Sequence, residues 1–261
     1  MTDAAPCILY DLSGHVATLT LNRPDQLNAL TYDMLLAIPA LLGKAVDDGA
    51  RALVVTGNGR AFCSGAALAG NDAGRPRDLG ESVDRYYSPL ARSFAQSPIP
   101  VVTAVNGAAA GAGASLALWG DIILAARSSY ILLAFANIGL VPDAGASWLI
   151  AQSVGRVKAM EMALLGERLS ADEALAAGLI TRVVDDQDLM PAAFDIAGRL
   201  AAKPTLAMGL IRRQIQVGLD DGLAATLVVE SAHQSRAGAS EDFAEGVLAF
   251  REKRKPIFTG R

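Results

Sequence analysis

Twice in this chain an apolar run of strand character stops at a glycine and gives way to a stretch of very small residues. The first is Arg51-Ala-Leu-Val-Val-Thr56, followed by "GNGRAFCSGAAL"; the second is Ile99–Val105, followed by "NGAAAGAGASLALWGDI". Glycine and alanine at the end of a buried strand mark a place where the backbone itself must be approached closely. What approaches can be another element of the fold, since close helix–strand packing selects the same residues. It can equally be a ligand oxygen reaching for main-chain amides. Either segment alone leaves both readings open.

Around these runs the pattern alternates between strands and helices. Residues 7–12 and 15–21 read as a hairpin around Ser13-Gly14, which places His15 in a strand. A helix is expected from Thr31 to Asp47, kinked or split by Pro39. Residues 57–80 read as loop and 81–96 as helix. Gly111–Trp119 reads as a buried helix, with strands at Asp121–Ala126, Tyr130–Ala134 and Ile180–Val184. Ser170-Ala-Asp-Glu173 has capping-box spacing, and Gly178 stands where that helix would end. Beyond Asp188 the pattern is helical nearly to the end. The expectation is an α/β body over residues 1–190 and a helical region over 191–261.

Composition narrows the function classes. Net charge is −4 and aromatics are 5%, which argues against a nucleic-acid partner. Cys7 and Cys63 are the only cysteines, too few for a disulfide framework or a zinc site. The only histidines, His15 and His233, show no partner in the sequence and read as structural, so no metal site is expected. No window approaches the roughly 20 apolar residues of a membrane span, and the first residues lack a signal-peptide core. A cytoplasmic setting is the expectation.

Gly111-Ala-Gly113 is neither a dinucleotide fingerprint nor a P-loop, because the third glycine and the Gly-Lys-Ser/Thr are missing. What the second stretch offers is a helix start, whose first amides lack partners and favour negative charge. Two such main-chain sites facing one oxygen would form an oxyanion hole.

In order and spacing, "LNRPDQLNAL", "GRAFCSGAAL", "AVNGAAAGAGASLAL", "GDIILAA", "IGLVPDAGASWLIAQSVG", "SADEALAAGLITRVV" and "FREKRKPIFTGR" resemble the crotonase superfamily, the enoyl-CoA hydratase/isomerase family. The resemblance covers nearly the whole chain. It implies a crotonase (ClpP-like) β-β-α spiral with a C-terminal helical trimerisation region, a homotrimer or dimer of trimers, and an acyl-CoA thioester as substrate, with no covalently bound cofactor. It puts the oxyanion amides on Ala66 and Ala112. It puts the CoA path along Ser64, Ala66, Ala67 and Leu68, with Arg23, Gln26 and Leu27 in the loop that meets the CoA phosphates or adenine. The basic run Arg251–Lys255 would approach CoA in a neighbouring subunit, Lys255 being the residue carried over; otherwise it is a solvated helix face.

Hydratases of this family use two glutamates; the matching positions here are Ser115 and Phe135. Paired-glutamate hydration is therefore not expected. Asp143, in "GLVPDAGAS", stands where several isomerases of the family carry an acid, and the local text is nearest the epoxyphenylacetyl-CoA isomerase type. The resemblance thus implies an isomerase with Asp143 as acid/base. Read without it, Pro-Asp-Ala-Gly is good turn chemistry, and Asp143 would cap the following helix. Two other readings stay open: a hydratase or lyase with a non-standard acid, and an acyl-CoA binding protein without turnover. Cys63 reads as a small packing residue. Tyr86 and Tyr87 read as packing residues or as acyl-pocket wall.

Overall fold

The computed structural model describes residues 5–67 and 78–261. β1 (Ile8–Ser13) and β2 (Val16–Leu21) form the expected hairpin, paired antiparallel from Ile8–Leu21 to Ser13–Val16. His15 lies in the turn and not in a strand, because the connection is the two-residue turn Gly14-His15. α1 (Tyr32–Asp47) starts at Thr31, whose side chain accepts from the Met34 amide. Pro39 lies inside α1 without splitting it. The face carrying Met34, Leu35, Ile38 and Leu42 is buried, and that packing offsets the one hydrogen bond a proline removes.

Three β-β-α turns follow. β3 (Ala52–Gly57) and β4 (Ala61–Cys63) lead to α2 (Leu79–Ser82), a π-helical turn at Val83–Tyr87 and α3 (Ser88–Ala95). β5 (Val101–Val105) and β6 (Ala108–Ala110) lead to α4 (Ala112–Leu118). β7 (Ile122–Ala126) and β8 (Tyr130–Leu132) lead to α5 (Ala146–Leu165), which bends at Gly155. Then come β9 (Arg168–Ser170), α6 (Ala171–Ala176), β10 (Arg182–Val184), α7 (Leu189–Ala201), α8 (Thr205–Gly238) and α9 (Glu241–Glu252). The capping box forms as read: Glu173 N donates to Ser170 Oγ, and Ser170 N donates to Glu173 Oε2.

One sheet runs β1-β2-β3-β5-β7-β10 and the other β4-β6-β8-β9. Each of these three turns therefore places one strand in each sheet, which is the expected spiral. β4, β6 and β9 were not foreseen, since three residues cannot display a period of two. For the same reason residues 57–80 are not all loop, and the strands expected at 130–134 and 180–184 are shorter.

The apolar runs are explained by burial on both faces. Ala52, Val54, Val102, Ala104, Leu124 and Ala126 pack under Ala193, Ile196 and Ala197 of α7. Their neighbours Leu53, Val55, Val101, Val105 and Ile123 face the main core with α1, α3 and α4. The boundary drawn at 190 falls inside α7, which belongs to the sheet packing. α8 and α9 instead leave Ile211, Ile215, Leu223, Leu227, Phe243 and Phe250 exposed.

Candidate active site

Both glycine-rich segments leave the same end of the six-stranded sheet, and they touch. A Cβ on Gly113 would lie 2.3 Å from the Cys63 carbonyl oxygen and 2.7 Å from its Sγ. One on Gly65 would lie 2.8 Å from Ala110 O and 3.5 Å from Ala112 N. Close packing therefore explains these glycines, and the same packing brings the two sets of amides together. Gly111, at φ 52° and ψ −129°, takes a conformation closed to residues with a Cβ and turns β6 directly into α4. Ala112 is the first residue of α4, so its N–H has no intrahelical acceptor. On the other segment, Leu30 N donates to Gly65 O and Ala67 N to Leu30 O, while the Ala66 N–H donates to no described residue.

The loop carrying Arg23, Gln26 and Leu27 packs on this segment. Leu27 and Asn28 are both left-handed, at φ 50° and 56°, which curls the loop so that Ser64 N donates to Leu27 O at 2.9 Å. The Arg23 guanidinium donates to Gln26 Oε1 and to Ala29 O. These acceptors are neutral, so its charge remains available to an anion. The structure thus gathers Arg23, Gln26, Leu27, Ser64, Ala66, Ala67 and Ala112 in one region. Leu68 lies outside the described residues. Lys255 is exposed in the tail beyond α9, and no described contact joins it to the others.

Asp143 is joined to this region through α4. Ser115 lies one turn after Ala112, and its Oγ donates to Asp143 O at 3.0 Å. Trp119 Nε1 donates to Ala144 O at 2.8 Å, and its ring lies against Gly145. The capping reading of Asp143 is overturned: Gly145 is the cap residue of α5, and no side chain bonds there. Asp143 Oδ1 is buried without a partner among the described residues. Burial pushes the carboxyl up to about 6. Phe135 packs in the main core with Ala112 and Ala144, so that position adds apolar surroundings in place of charge.

The sequence reading missed the role of Ser115 and Trp119 as the two donors that hold the Asp143 turn. Their i, i+4 spacing on α4 was visible, but the acceptors are carbonyls 25 and 28 residues away. Tyr87 is buried, and its ionisation is opposed first by burial and next by Asp143, so it borders the carboxyl. Tyr86 instead stacks on Tyr32 at 4.2 Å. Cys63 is no nucleophile: its thiol is buried, donates to Asn28 O and is pushed up to about 12 by burial. Among the described residues no group of side chains could hold a metal ion, and no helix is long and apolar enough to cross a membrane.

A family profile described as "Enoyl-CoA hydratase/isomerase" matches residues 11–261. The chain belongs to this family. Within the family it is similar to the 1,2-epoxyphenylacetyl-CoA isomerase of Escherichia coli K12, at 46% identity over 97% of this chain and 98% of that one. It is also similar to a Rhodobacter capsulatus protein named "Probable enoyl-CoA hydratase", at 44% identity over 97% of this chain and 98% of the other. Among solved structures, the enoyl-CoA hydratase from Bacillus anthracis superposes with a TM-score of 0.93 at 30% identity, covering 98% of this chain and 100% of that one.

Proposed function

We propose that this protein is an acyl-CoA isomerase in which Asp143 moves the proton and the Ala66 and Ala112 amides hold the thioester oxygen. One observation carries the reading: Asp143, with a buried Oδ1 that has no partner among the described residues and a carboxyl raised to about 6, has its backbone carbonyl held by Ser115, one helical turn after Ala112. A carboxyl so tuned is ionised at neutral pH yet acidic enough, once protonated, to give the proton back. With a 3-enoyl thioester, ionised Asp143 takes the proton from the carbon next to the carbonyl. The electron pair spreads over a dienolate whose oxygen accepts from Ala66 N–H and Ala112 N–H. Protonated Asp143 then returns the proton to the γ carbon, leaving the 2-enoyl thioester. Each such amide is worth about 3–4 kcal/mol at the transition state.

In this reading Arg23, Gln26, Leu27, Ser64, Ala67 and Leu68 line the CoA path. Lys255 serves the site of a neighbouring subunit, and the exposed apolar faces of α8 and α9 close a homotrimer, alone or paired. The name of the R. capsulatus relative favours a second reading, hydration. That reaction asks for a base at water and an acid at carbon, and Ser115 and Phe135 leave one carboxyl for both.

The test is turnover of wild type and Asp143→Asn with 3-enoyl-CoA and 2-enoyl-CoA, scoring double-bond position and water addition separately. The expected result is isomerisation by wild type, reduced by about 10²–10⁴ in the variant while CoA binding persists. Water addition unaffected by the substitution, or binding with no turnover of any thioester, rejects the reading.

A further inference from the structure

At the opposite end of the six-stranded sheet lies a cavity of about 840 Å³. Its floor is made of His15 before β2, Gly49–Arg51 before β3 and Ala95–Ile99 before β5. These are the strand starts, whereas Ala66 and Ala112 follow the strand ends, so about 20 Å of strand separates the two places. The roof is α8. Arg213 and Arg236 would stand about 35 Å apart on a straight helix. The bend at Gly222, φ 77°, folds α8 back so that both line the one cavity.

Every titratable side chain on the wall is a cation or an imidazole: Arg51, Arg213, Arg236, His15 and His233. Among the described residues no Asp or Glu lines it. This is unusual in a chain of net charge −4, whose Arg127, Arg199, Arg212, Arg254 and Arg261 each face a carboxylate. Arg51 donates only to neutral oxygens, Thr205 Oγ1, Phe258 O and Lys203 O, so its charge is held in place and not compensated. Arg213 and Arg236 bond to no described residue. His233 Nδ1 is buried without a partner. His15 Nδ1 faces Gly49 O at 3.2 Å, which leaves Nε2 free for a ligand. Two acids next in sequence to, or bonded to, lining residues are engaged by other donors: Asp242 accepts from Thr259 N and Gly260 N, and Asp48 from Lys44 and Tyr10. Ile99 and Leu210 supply an apolar side.

We infer that this cavity binds a phosphate-bearing small molecule of nucleotide size. Guanidinium forks match phosphate oxygens in pairs, and several arginines suit an anion of charge two or more. The volume falls in the range of small-molecule sites, and the mixed wall fits a ligand with an anionic end and a flat or apolar remainder. A ligand there would bridge the two arms of α8 to the body of the protein.

The test is titration calorimetry on the full chain with pyrophosphate and with ADP, each with and without saturating CoA to fill the thioester site. Saturable binding that CoA leaves unchanged is expected. Arg213→Gln and Arg236→Gln should each weaken it by about tenfold or more, whereas Arg199→Gln on the surface should not. Turnover of enoyl-CoA without the anion should be the same in all of them, so this result stands apart from the acid/base assignment. No saturable binding by either probe with CoA present, or equal binding in both cavity variants, overturns the proposal. So does a change of sedimentation mass in those variants when wild type binds neither probe, because the cavity is then a contact between subunits.

Discussion

At the scale of single residues the proposed reaction turns on Asp143. Its pKa stands at about 6 against 3.8 for a free carboxyl, because burial disfavours the charge. A carboxyl raised on folding is a liability wherever it is ionised in both states. Above pH 6 the native protein therefore carries a penalty of about 2–3 kcal/mol, which fades as pH falls from 6 toward 3.8 and is absent below that. Asp143→Asn is expected to raise stability at pH 8 by about 1–3 kcal/mol, with the gain gone by pH 3.8, as read from urea unfolding at each pH. In the proposed mechanism the same pKa predicts that kcat/KM of wild type falls with unit slope below about pH 6, where the proposed base becomes protonated. Ser115 acts on this group from behind, through Asp143 O. Ser115→Ala should lower kcat by about tenfold with little change in KM, since it removes a bond that aims the proposed base and touches no substrate. Equal losses in both parameters would mean that the serine reaches the thioester.

At the scale of elements the site depends on how closely α4 approaches β4. Gly113 permits that approach, because any Cβ there would meet Cys63 backbone and side chain together. Gly113→Ala is expected to cost about 1–3 kcal/mol and to abolish turnover, because relief requires moving the strand that leads to Ala66. Gly198→Ala, in the exposed middle of α7 with nothing within 4 Å, should instead raise stability by about 0.5–1 kcal/mol. Thermal melts and turnover of the two variants side by side separate close approach from a general effect of removing glycine.

At the scale of the whole molecule Arg212 is one of the side chains that fasten α8 to the body. Its Nε donates to both Asp121 oxygens at 2.7–2.8 Å, and its terminal nitrogens donate to Ser97 O and Phe94 O. Asp121 also accepts from Val101 N, so a single charge pair ties α8 to the end of α3 and the starts of β5 and β7. Arg212→Ala leaves Asp121 without its counter-charge, and the expected loss is about 3 kcal/mol or more, read as a lowered melting temperature. Arg212→Lys should recover only part of it, since an ammonium cannot serve three acceptors in the fork geometry.

Much of this protein was readable in one dimension. Unbroken apolar runs such as Leu53–Val55 announce strands buried on both faces, and strands of that kind alternating with helices imply the α/β body. The order of the glycine-rich segments and the Asp143 turn pointed to the family and to its thioester chemistry. Folding in three dimensions decided the rest. β4, β6 and β9 exist because neighbouring turns of the spiral pair them, and three residues hold no pattern of their own. Whether Asp143 capped a helix or lay unpartnered depended on where the chain placed α4 and Gly145. The gathering of His15 and His233 with three arginines depended on the bend at Gly222. Local burial is written in the periodicity of side chains, whereas partners far apart in sequence meet only through the path of the whole backbone.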